Sequence, residues 1–101
     1  MKTFEKVLEI FRGYLDCDRE EEVLKCSQGY LRVTWNGTSR FCVDGILSRT
    51  PDELFEMLLS DYSSCKLIQR TKGRREVSED DEKQAEVLCR NLLERWEEES
   101  E

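Results

Sequence analysis

The chain predicts an α+β fold built on a three-stranded antiparallel sheet, and three observations carry that reading. Apolar residues at spacings of three and four open and close the sequence, the period of an amphipathic helix. Between them, residues 23–44 change to short runs rich in β-branched and aromatic side chains around an Asn-Gly pair, the strongest short hairpin signal. A Thr-Pro-Asp-Glu sequence then opens another helix. The expected order is α-β-β-β-α-(β?)-α, with helices flanking the sheet. One domain over residues 1–96 and an acidic tail over residues 97–101 account for the 101 residues.

Each element has a local reason. Thr3 caps the first helix, its side-chain oxygen accepting a free backbone N–H. Phe4, Val7, Leu8, Phe11, Tyr14 and Leu15 form one apolar stripe, Glu5, Lys6, Glu9 and Arg12 face water, and Asp16-Cys17-Asp18 ends the helix. Arg19-Glu20-Glu21-Glu22 reads as an acidic joint. Residues 23–26 form a short edge strand, Ser27-Gln28-Gly29 a turn, and residues 30–35 the second strand. Asn36-Gly37 turns the chain and residues 40–44 return as the third strand. The alternation is imperfect, so it does not fix which side chains face the core. Thr50 caps the next helix, Pro51 takes its first position and Glu53 completes a capping box. Leu54, Phe55, Leu58, Leu59 and Tyr62 give this helix an apolar face over residues 51–62, and Ser63-Ser64 breaks it. Residues 65–69 read equally as a short strand or as more helix, and residues 70–75 as a basic loop. Ser78-Glu79-Asp80-Asp81 starts the last helix, with acids placed to suit its dipole. Ala85, Leu88, Cys89, Leu92 and Trp96 make its buried stripe; Val87 and Leu93 lie off it and, with Trp96, offer a surface for pairing two copies.

Composition excludes several functions. No apolar run reaches the roughly 18 residues of a membrane span, and Glu5 and Glu9 interrupt any signal core near the start, so a cytoplasmic protein is expected. The sequon Asn36-Gly37-Thr38 is accordingly read as a turn. Five cysteines at spacings of 9, 16, 23 and 24 contain no C-x-x-C pair, and their odd number argues against a closed disulfide framework. Free thiols are expected, with no metal and no cofactor. There is no histidine, so Ser-His-Asp and Cys-His catalysis are unavailable, and no glycine-rich phosphate loop is present. The expectation is a protein that is not an enzyme.

Charge points further. Residues 1–63 carry 8 Lys/Arg and 12 Asp/Glu, residues 64–77 carry 5 and 1, and residues 78–101 carry 3 and 10, for a net charge of −7. An acidic chain with one basic island repels nucleic acid at long range and attracts basic protein grooves. Double-stranded RNA-binding domains share the first five elements but need a basic entry to their second helix, whereas Arg49-Thr50-Pro51-Asp52-Glu53 is net acidic. Hairpin DNA readers of the integrase arm type would rely here on Arg32 and Arg40 alone.

In length, element order and acidity the chain resembles the small acidic phage proteins of α-β-β-β-α-α type that inhibit type II CRISPR nucleases. Tyr30-Leu31-Arg32-Val33-Thr34-Trp35-Asn36-Gly37, with the strand and helix after it, shares their strand–turn–strand–helix rhythm. The resemblance implies a non-enzymatic anti-CRISPR protein in the cytoplasm of a bacterial host, whose carboxylates occupy the DNA-binding groove of a guide-loaded nuclease. One departure is the link before the last helix, acidic in the corresponding member of that group and basic here. A groove shaped for phosphates also accepts carboxylates on a rigid scaffold, and opposite fields speed encounter. The candidate groups are Glu79, Asp80, Asp81 and Glu82, and Glu20, Glu21 and Glu22. Their plain structural roles would be to stabilise a helix N-terminus and to solvate a turn. The alternative function is a nucleic-acid-associated regulator using Lys66, Arg70, Lys72, Arg74 and Arg75, unless those arginines pair with the adjacent acidic helix.

Overall fold

The Thr3 hydroxyl accepts the Lys6 N–H at 3.2 Å and so starts α1 (Phe4–Ile10), which is followed at once by α2 (Arg12–Cys17). The computed structural model describes residues 2–17, 20–35 and 42–99. Where one helix was expected there are two segments, because Phe11, at φ −96° and ψ 9°, leaves helical geometry. Its ring is buried 5.4 Å from that of Phe55, and Gly13, a poor helix former, follows two residues on.

Three antiparallel strands follow in spatial order β1-β2-β3: β1 (Glu21–Cys26), β2 (Gly29–Trp35) and β3 (Cys42–Ser48). Glu21 faces Thr34 across the first pair, and Arg32 lies between Val23 and Ile46. Successive side chains alternate between faces, so Glu21, Arg32 and Tyr30 share one face and Leu31 and Val33 the other. The Phe4 ring lies 4.5 Å from that of Tyr30, which sets α1 on the first of these faces. A register shift at Thr34/Trp35 leaves Val43 as the extra residue of a bulge.

Two strand boundaries correct the sequence reading. Glu21 and Glu22 belong to β1 rather than to a joint, since they pair with Thr34 and Val33. β3 continues past Asp44 to Ser48, where Ile46 and Leu47 pair with Arg32 and Leu31. The Asn36-Gly37 turn and the expected strand start at Arg40 and Phe41 lie outside the described residues.

Thr50 starts α3 (Pro51–Thr71): its hydroxyl accepts the Glu53 N–H and bonds the Glu53 carboxylate, both at 3.2 Å. The helix passes through Ser63-Ser64, so residues 65–69 are helix and not strand. Serine costs only a few tenths of a kcal/mol in a helix, and no glycine or proline intervenes between Pro51 and Thr71. The end comes where Lys72 (φ 55°) and Gly73 (φ 66°) adopt left-handed backbone. Ser78 caps α4 (Glu79–Glu98), which runs two residues into the expected tail. Ala85 and Trp96 are buried and Cys89 and Leu92 half-buried, but Leu88 stands at the exposed rim of the stripe. Of the three residues offered for pairing copies, Trp96 is 2% exposed and only Val87 and Leu93 face outward.

These elements form two compact units. Residues 2–55 hold α1, α2, the sheet and the first turn of α3, with Val7, Phe11, Val33, Leu54 and Phe55 buried. Residues 56–101 hold the rest of α3 and α4.

Candidate functional site

The acidic start of α4 is organised around a carboxylate that turns inward. Asp81 is the third residue of the helix, where the capping-box pattern places an acceptor. Its N–H donates to the Ser78 hydroxyl at 3.3 Å, and its carboxylate accepts the Ser78 N–H at 2.9 Å and the Ser78 hydroxyl at 3.0 Å. Arg75 closes on both oxygens, Nη1 at 2.6 Å and Nη2 at 2.9 Å, and Arg70 Nε adds a bond of 2.9 Å. This is the bidentate geometry that suits a guanidinium, and it leaves the Asp81 side chain 1% exposed. The Arg75 guanidinium, then the Ser78 N–H and Arg70, hold the Asp81 carboxyl far below the usual carboxylate range, against the opposing effect of burial. Reciprocally, the bond to Asp81 raises Arg75.

The basic island is therefore divided. Arg70 and Arg75 meet on Asp81, and Arg70 also reaches Asp80 at 3.0 Å. Lys66 is half-buried, with its ammonium 5.3 Å from the centre of the Tyr62 ring and 3.3 Å from Gln69. Lys72 and Arg74 are exposed in the joint. Glu79, Asp80 and Glu82 point outward around Asp81; the Asp80 side chain stays 73% exposed even while it touches Arg70. Glu86, bonded to Arg90 at 3.1 Å, follows Glu79 and Glu82 at helical spacing. At 1.5 Å rise per residue, Glu79 to Glu86 spans about 10 Å along one side of α4.

The second acidic cluster belongs to the other unit. Glu20 is exposed. The Glu21 side chain, 7% exposed, accepts the Tyr14 hydroxyl and lies 3.4 Å from Arg32 Nε. Arg32 donates to Thr34 at 2.8 Å and lies 3.8 Å from Asp44. Glu22, on the opposite face of β1, accepts the Trp35 indole N–H at 2.9 Å. Of the seven acids singled out from the sequence, Asp81 and Glu21 thus serve internal ion pairs and the others remain at the surface. The Ser78-x-x-Asp81 spacing was the available signal for Asp81; for Glu21 the signal was strand alternation with Arg32, obscured by reading residues 19–22 as a joint.

The cysteines are free thiols: Cys17, Cys26 and Cys42 are exposed, and Cys65 and Cys89 half-buried. Burial pushes the Cys89 thiol up, with a Ser63 hydrogen bond opposing, and burial followed by Cys89 and Cys65 raises the Tyr62 phenol. A raised thiol is the reverse of what a cysteine nucleophile needs. Among the described residues no helix is long and apolar enough to cross a membrane. Comparison of the chain with protein-family models, with curated proteins and with solved structures finds no match.

Proposed function

We propose that the protein is a non-enzymatic acidic inhibitor that sets the outward carboxylates of α4 into a basic groove of a protein partner. Because its layout resembles that of small acidic phage proteins that inhibit CRISPR nucleases, the proposed partner is a guide-loaded CRISPR nuclease, met in the cytoplasm of a bacterial host. One observation carries this reading: the buried Asp81 pairs with the partly exposed Arg70 and Arg75, while Glu79, Asp80 and Glu82 remain at the surface. The cations that would attract nucleic acid are thereby partly neutralised, and the acidic field of the helix is left facing solvent. A groove built for phosphates binds such a field and steers its approach. The alternative, a nucleic-acid regulator working through the island, has two of its five cations paired with Asp81 and so a weaker local positive field.

The test is DNA cleavage by guide-loaded nucleases of several subtypes, with the protein added before or after target DNA. A groove competitor blocks cleavage only when added first. Joint replacement Glu79→Lys, Asp80→Lys and Glu82→Lys weakens binding at least tenfold, because like charges then face each other. Asp81 is left in place so that the helix start survives. No inhibition across the panel would overturn the nuclease assignment. Tight, salt-sensitive binding to random duplex DNA, lost on Lys72→Ala and Arg74→Ala, would favour the regulator instead.

A further inference from the structure

We draw no further inference here: the strongest candidate, the outward face of α4 where Val87 and Leu93 stand exposed beside a shallow groove lined by Leu93, Glu94, Glu97 and Glu98, carries nothing because it is an unpartnered apolar face and nothing in the structure shows what covers it.

Discussion

Asp81 and its neighbour Asp80 have the same side chain and opposite situations. Asp81 accepts bonds from Arg75, Arg70 and Ser78, whereas Asp80 bonds Arg70 from the exposed side of the helix. Asp81→Asn should therefore lower the melting temperature by several degrees and Asp80→Asn by far less, as followed by circular dichroism. The pH dependence has a definite sign. Because folding depresses the Asp81 pKa, its contribution is fully present above the unfolded carboxylate value of about 4 and is lost as pH falls towards the folded value. Urea melts from neutral to acid pH should show stability falling on acidification, with a shallower fall in Asp81→Asn; equal slopes would remove Asp81 from the account. Two glycines make a paired test of the backbone. At Gly29, with φ +142°, a Cβ would stand 2.2 Å from the Ser48 carbonyl oxygen, so Gly29→Ala should cost about 1 kcal/mol or more. At Gly13, inside α2, a Cβ meets nothing within 4 Å, so Gly13→Ala should stabilise by about 0.5–1 kcal/mol. Chemical denaturation reads both. At this scale composition was a poor guide to the site: four consecutive acids look alike in a sequence, and only the three-residue spacing from Ser78 marks the one that turns inward.

The existence and type of the elements were legible where local chemistry and periodicity agreed. Thr3, Thr50 and Ser78 are each found capping the helix they were expected to start. The ends were less legible, because what carries α3 and β3 onward is pairing and packing rather than a signal at the boundary itself. Ser63-Ser64 looked like a break, yet two serines cost less than the hydrogen bonds and apolar contacts that continue through them. Helix α3 offers a direct check at Ser64, which is exposed. Ser64→Ala should raise stability by a few tenths of a kcal/mol, and Ser64→Pro should cost about 3 kcal/mol. If the helix really stopped at 62, denaturation midpoints would barely move for either variant. The sheet shows the same limit. Arg32 is buried at a position where the alternation alone would admit an apolar residue, and partners such as Glu21 and Asp44, brought across by strand pairing, together with the Thr34 hydroxyl, explain a charge there.

Over the whole chain, the net charge of −7 was legible from composition, but which charges remain available outside the fold was not. Ion pairing at Asp81 and Glu21 sets charges of opposite sign against one another without changing the sum, so it alters the local field that a partner meets. If the outward carboxylates of α4 steer association, the association rate with the proposed nuclease partner should fall steeply as salt is raised from about 0.01 to 0.15 M, where the screening length shrinks from about 30 to about 8 Å. Replacing Glu79 and Glu82 by Gln should flatten that dependence, because these two groups face solvent. The Asp81→Asn change alters the total charge by one unit but acts on a carboxylate 1% exposed and bonded to two arginines. It also takes the anion from Arg75 and one of two carboxylates from Arg70, which keeps Asp80. A helix that keeps its fold in this variant should thus present a more positive joint, with slower association and detectable binding to duplex DNA at low salt. Stopped-flow association across the salt series, run beside circular dichroism on each variant, separates these outcomes. Association independent of salt in the wild type would remove electrostatic steering from the proposed mechanism, and an Asp81→Asn protein that is folded but gains no affinity for DNA would show that Asp81 does not mask the basic island.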